Sequence, residues 1–144
     1  MTGPHDYDSA RLTTRTARAD EIDALGHVNN AVYVRWVQDA GVEHWLAEAP
    51  AELKARVHWV CLRHEVDYRE PVLEGESVEV RTWLGRARGP RFDRHVDVRK
   101  PGGARFSCRA VTTWALVDAK TGRPLRVTND ILVNFGLDPQ AHRD

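Results

Sequence analysis

One helical period dominates this chain, and almost everything after it alternates. From Ala31 onward, Val34, Val37, Gly41 and Trp45 recur at spacings of three, four and four, the stripe of a helix with one buried face. That helix is predicted from about Asn30 to Ala47, stopped by Ala49-Pro50-Ala51. Beyond it, four runs alternate with the period of two expected of strands. Trp59 to Arg69 places Val60, Leu62, Val66 and Tyr68 on one side. Ser77 to Leu84 aligns Val78, Val80 and Leu84, with a turn expected over Gly85 to Arg91. Phe92 to Arg99 aligns Phe92, Val96 and Val98, and Ala104 to Val117 forms the last long run. A first strand over Arg11 to Arg18 and a short one near Pro124 to Val127 complete the set. One long helix followed by a strand meander predicts an α+β fold, with the helix against one face of an antiparallel sheet. A small sheet with one helix leaves an edge strand and an apolar flank open, so self-association is expected.

The chain of 144 residues suits one domain. It is expected to consist of a polar N-terminal tail over 1–10, a domain over 11–137 and a C-terminal tail over 138–144. No apolar run is long enough for a membrane span, and Met-Thr-Gly-Pro-His-Asp-Tyr-Asp does not read as a signal peptide. Cys61 and Cys108 lack CxxC spacing and read as free thiols in a reducing cytoplasm. The formal net charge is zero, but residues 81–109 hold nine basic residues against Asp93 and Asp97. That segment, net +7, suits a polyphosphate ligand or an acidic partner, or else charge scattered over a solvated face. Its interleaved aromatics, Trp83 and Phe92 among them, are too few for a nucleic-acid stacking platform. Phosphate-loop, HExxH and Gly-x-Ser-x-Gly patterns do not occur.

The helix is preceded by the most informative run, Asp23-Ala-Leu-Gly-His-Val-Asn-Asn-Ala-Val-Tyr. It reads as a carboxylate in a loop, a glycine turn, and a helix start. The first turn of a helix leaves N–H groups unpaired beside the positive end of its dipole, an arrangement that can hold an oxyanion. Asp23, seven residues before Asn30, could supply or activate the attacking group. Spacing alone equally fits an ordinary turn aspartate.

The pattern Asp-x-x-Gly-His-Val-Asn-Asn-x-x-Tyr resembles the signature of the hotdog-fold acyl-CoA thioesterases, in the branch related to 4-hydroxybenzoyl-CoA thioesterase. The resemblance extends in architecture over roughly residues 11–137. It implies an antiparallel sheet wrapped around one long central helix, and dimers or tetramers with active sites at the subunit interface. It also implies acyl-CoA as substrate, with no cofactor and no metal. Asp23 would then attack the thioester carbonyl or activate water, while the Asn30 N–H polarises the carbonyl. His27 is either a general acid or a loop-fixing residue, and Gly26 permits the turn or a close substrate approach. Val28, Asn29 and Tyr33 join the expected substrate-binding set, Asn29 reading first as a cap and Tyr33 as the lip of the pocket. Arg86 and Arg88 are expected at the coenzyme A phosphates.

One departure is notable. Where many relatives carry Glu five residues after the motif Tyr, this chain has Gln38, followed by Asp39. A helix carboxylate is the nucleophile in another hotdog branch, so Asp39 rivals Asp23. Against that, Arg35, Asp39 and Glu43 have the spacing of a surface ion-pair ladder. Asp20 and Glu21 read as solvated. Alternatives in function are hydrolysis of acyl groups on acyl carrier protein, a non-catalytic acyl-CoA-binding protein, and, least fitting, a dehydratase. Neither nucleic acid nor membrane is expected as a partner.

Overall fold

The computed structural model describes residues 5–143; residues 1–4 and 144, parts of the two expected tails, lie outside the described residues. Strand β1 (Arg11–Thr16) leads into the Asp23 loop and helix α1 (Asn30–Glu48). A short helix α2 (Ala51–Arg56) precedes β2 (Val57–Tyr68), β3 (Ser77–Arg88), β4 (Arg91–Arg99) and β5 (Cys108–Asp118). Short helices α3 (Asn129–Asn134) and α4 (Pro139–His142) close the chain. The strands form one sheet in the order β1-β3-β4-β5-β2, antiparallel at every pairing. Helix α1 packs on β3 and β4.

Helix α1 starts where Asn29 caps it, the side-chain oxygen accepting from the Ala31 N–H at 2.8 Å. It stops at Ala49, which is extended (φ −79°, ψ 137°), as a residue before proline prefers. Its buried face comprises Tyr33, Trp36, Val37, Ala40, Gly41 and His44. The expected stripe is thus rotated: Val37 and Gly41 are buried, while Val34 and Trp45 flank at half-burial. The large rings of Tyr33 and Trp36 take the core positions. Two apolar clusters lie along the helix. One joins Tyr33, Trp36 and Val37 to Val78, Val80, Val96 and Val98. The other lies towards the opposite end and joins Leu84, Phe92 and Leu116 to Leu132, Phe135 and Leu137.

Three expectations need correction. In β2 the register slips between Cys61 and Arg63, a bulge that reverses the inward parity. Val66 and Tyr68 pack on the core, but Val60 and Leu62 point outward at 46% and 50% exposure. The turn expected over Gly85 to Arg91 is shorter, because β3 continues through an irregularity between Leu84 and Ala87 to Arg88. The strand expected near Pro124 is a single bridge between Val117 and Pro124.

Both terminal segments are docked. His5 accepts from the Leu84 N–H through Nδ1 at 3.0 Å, and the Tyr7 ring sits under the Arg81 and Arg99 guanidinium groups. In α4, His142 is buried and its Nδ1 lies 2.7 Å from the Gly85 carbonyl.

Candidate active site

The Asp23 loop is a small hairpin. Ile22 bridges Val28, the Asp23 N–H donates to the His27 carbonyl at 2.8 Å, and the Asn29 N–H donates to that of Glu21 at 2.9 Å. The tip turns at Gly26, whose φ of +83° disfavours any side chain. An added Cβ there would meet nothing within 4 Å, so within the protomer Gly26 serves the turn. This fold-back returns Asp23 beside the start of α1. The Asp23 Oδ1 accepts from Leu25 N–H at 2.9 Å and His27 N–H at 3.4 Å, while Oδ2 makes no hydrogen bond among the described residues. The Asn30 N–H is likewise unbonded among the described residues, and the Asn30 carbonyl accepts from the Tyr68 hydroxyl at 3.1 Å.

Glu21 was expected to be solvated and is not. It is 5% exposed, accepts from the Arg18 N–H at 2.9 Å, and pairs with Arg35 on α1 at 2.6 Å. One buried carboxylate therefore ties the loop to the helix. Arg35 is thereby drawn away from Asp39, and Glu43 pairs with Arg15 and Arg11. The expected ladder does not form; Asp39 is half-buried and makes no ion pair among the described residues.

The remaining motif residues divide by depth. Val28 is 2% exposed and donates its N–H to the Val72 carbonyl, so it anchors the loop in the core instead of lining an open site. Tyr33 also lies in the core, edge-on to Trp36 and Tyr68, and burial pushes its phenol up to about 12. It is not a pocket lip within the protomer. The His27 backbone fixes the loop, while its half-buried ring has no hydrogen bond among the described residues. Arg86 and Arg88 lie at the far end of β3 from the loop. β3 pairs with β1 near the loop at Ser77, and twelve strand residues span roughly 40 Å. The Arg86 guanidinium donates to the Arg143 carbonyl at 2.8 Å. Nor is the basic segment a continuous patch. Arg99 and Arg109 hold the fully buried Asp97, Lys100 pairs with Glu76, and Arg105 with Glu70.

A cavity of about 400 Å³ lies beside the other half of α1, lined by Gly41, Trp45, Trp59, Phe92, Arg94 and Trp114 among others. None of its lining comes from the Asp23 loop. At a rise of 1.5 Å per residue, Asn30 and Gly41 are roughly 17 Å apart along the helix. Sequence reasoning missed this feature. The available signal was parity: Arg94 alternates onto the same face as Phe92, Val96 and Val98. Arg94 is 5% exposed. Its Nη1 donates to Thr82 Oγ1 at 2.8 Å and lies 3.0 Å from His44 Nδ1. No carboxylate among the described residues pairs with it. Burial, aided by Arg11, lowers Arg94 to about 9, so it remains a cation at neutral pH. Burial, with Arg94 next, holds His44 down at about 3, leaving a neutral imidazole that accepts from the guanidinium.

A family model for the thioesterase-like superfamily matches residues 17–135, from the approach to the Asp23 loop through α3. The chain belongs to that superfamily. Its architecture is similar to that of the dynemicin thioesterase, at TM-score 0.77 and 20% identity, covering 90% of this chain and 98% of that one. A 1,4-dihydroxy-2-naphthoyl-CoA thioesterase from Synechocystis matches at TM-score 0.74 and 13% identity, over 86% and 93% of the two chains. A predicted thioesterase from Bacillus stearothermophilus matches at TM-score 0.74 and 26% identity, over 86% and 92%. The expected hotdog fold is therefore present. By sequence, the chain is 27% identical over 109 residues to an uncharacterised Mycobacterium tuberculosis protein from strains CDC 1551 / Oshkosh and H37Rv. The match covers 76% of this chain and 42% of that protein, so the chain spans about two-fifths of the curated relatives it matches.

Proposed function

We propose that this protein hydrolyses acyl-CoA thioesters at the Asp23 loop without a cofactor. Membership of the thioesterase-like superfamily supports the reaction class. What supports the site is that a fold-back loop carries an Asp23 carboxylate oxygen, and the following helix start an Asn30 N–H, that are both unbonded among the described residues. The Asn30 amide, at the positive end of α1, receives the thioester oxygen as negative charge develops on it. Asp23 either takes a proton from an attacking water or attacks the carbonyl carbon itself. In both routes the C–S bond breaks and coenzyme A leaves as a thiolate, a leaving group that needs little help from His27. In the second route, water then hydrolyses the anhydride on Asp23. Two bonds to Asp23 Oδ1 hold the carboxylate in one orientation, which favours reaction over random encounter.

A two-fold partner completes this reading. The outer edge of β2 pairs with nothing among the described residues, and Val60 and Leu62 are exposed on that strand. Such an edge is a natural pairing surface, and an isologous pair would shield the site from bulk water. The free thiols Cys61 and Cys108 fit a reducing cytoplasm.

The test is thiol release, followed with DTNB, across a panel of aromatic and aliphatic acyl-CoA thioesters and the same acyl groups on carrier protein. Turnover of at least one coenzyme A ester that falls on dilution below micromolar concentration is expected. No turnover on any ester would sink the hydrolase, and sole use of carrier-protein substrates would transfer it to that class. Full specific activity as a monomer would remove the shared site.

A further inference from the structure

Within the aromatic cavity, Arg94 has an incomplete set of partners. A buried cation is costly unless it is paired and fully hydrogen-bonded. Here both hydrogen bonds come from Nη1, to the neutral His44 and Thr82. Nε and Nη2 make none among the described residues. Those two nitrogens form one side of the planar guanidinium fork, the geometry that grips both oxygens of a carboxylate. On α1, Glu43 is already held by Arg15 and Arg11. The helix also leaves room for this side chain. At Gly41 an added Cβ would lie 3.1 Å from Arg94 Cδ and Nε, so a larger residue would crowd the guanidinium. Around the cation stand Trp45, Trp59, Phe92, Trp114 and Phe135, and the volume of about 400 Å³ falls in the ordinary range of small-molecule sites.

We propose that this cavity binds an apolar or aromatic group ending in a carboxylate, with the anion seated on the Nε and Nη2 edge of Arg94. Resting on the thioesterase reading above, the occupant is an acyl group that carries a second, distal carboxylate. The aromatic walls bury its apolar body, and the guanidinium supplies the charged end that water would otherwise solvate. Arg94 is then a specificity residue remote from the reacting carbonyl.

Binding is measured first, without catalysis. The probes are 2-naphthoate and its neutral isostere 2-naphthamide, followed by quenching of tryptophan fluorescence and by calorimetry on the intact protein. The acid is expected to bind about tenfold tighter or more. Arg94→Met should abolish the difference, and Arg94→Lys, a charge without the fork, should retain only part of it. If Arg94→Met fails to fold by circular dichroism, Arg94→Lys and the comparison in the unaltered protein still decide. Equal binding of acid and amide, or an acid preference that survives in Arg94→Met, overturns the proposal.

Hydrolysis is the second arm, with ω-carboxyacyl-CoA esters of increasing length against methyl-terminated equivalents. A preference in kcat/KM for the carboxylated series, lost in Arg94→Met, is expected. Hydrolysis with no such preference at any length and no acid-selective binding removes the carboxylate site and leaves the hydrolase standing. Acid-selective binding without hydrolysis of any ester keeps the anion site and removes the thioesterase reading.

Discussion

At the amino end of α1, two carboxylates are held by donors. Glu21 is clasped by Arg35 and a backbone N–H, and Asp23 by two loop amides. Beside Gly41, in the other half of the same helix, a cation is buried among neutral partners. The first region is a half-exposed hairpin with one oxygen free for chemistry. The second is an aromatic enclosure with one guanidinium edge free for recognition. The contrast teaches that a free functional group is informative in proportion to how firmly its neighbours are fixed. Asp23 has one oxygen tied and one open, and Arg94 has one nitrogen tied and two open.

The largest effect should come from breaking the carboxylate end. Asp23→Asn keeps an oxygen that can still accept from Leu25 and His27 but removes the negative charge. We expect kcat to fall roughly 100-fold or more with KM little changed, the mark of an interaction made mainly in the transition state. The melting temperature should hold. Asp39→Asn should cost only a few-fold. Steady-state kinetics with thermal melts on both variants checks this, and the reverse ranking would move the catalytic acid onto the helix.

The cationic end predicts a pH dependence of stability. In the unfolded chain the imidazole of His44 takes its proton near pH 6.5, whereas in the folded protein it stays neutral down to about 3. Between those values the unfolded state binds more protons, so stability falls as pH drops from 6.5 towards 3. His5 and His95, both also lowered by burial, contribute in the same direction. Denaturant melts at pH 7, 5.5 and 4.5 should show the loss, and His44→Gln, which preserves an acceptor for Arg94, should flatten the slope. An unchanged slope in that variant would place the linkage elsewhere.

The smallest effect is the sharpest probe of contact between the helix and the cation. Gly to Ala inside a helix is worth about 1 kcal/mol in favour of Ala. In an Arg94→Ala background, which removes the atoms a Cβ at Gly41 would meet, Gly41→Ala should deliver that gain. With Arg94 present the new Cβ crowds its Cδ and Nε, and the gain should vanish or reverse. A double-mutant cycle from urea melts reads the coupling directly, and additive effects would show that the guanidinium moves aside freely.

Much of this architecture was legible because period carries it. The long helix α1 stood out through Val37 and Gly41, and β3 and β4 through the alternation of Val78, Val80, Val96 and Val98. The outward turn of Val60 and Leu62 was hidden, since a one-residue bulge leaves no mark on composition while inverting every later position. Glu21 was missed because its burial depends on Arg35, fourteen residues away, and local sequence shows only an acidic pair. Asp23 and the Asn29 cap were visible because their partners are near in sequence. Arg94 was obscured by its arginine-rich surroundings, which read as one charged face. Its parity with Phe92 was the available clue, but its neutral partners come from α1 and β3.

Gly41 also bears on the order in which descendants of this chain could change. A lineage that first lost Arg94 would be free to replace Gly41 by a better helix former, a downhill step of about 1 kcal/mol. Once that replacement is made, a returning arginine would meet a methyl group 3.1 Å from its side chain. Departure would then need one substitution at a time and reversal two together. The missing side chain at Gly41 thus keeps Arg94 recoverable, and filling it turns the loss into a ratchet.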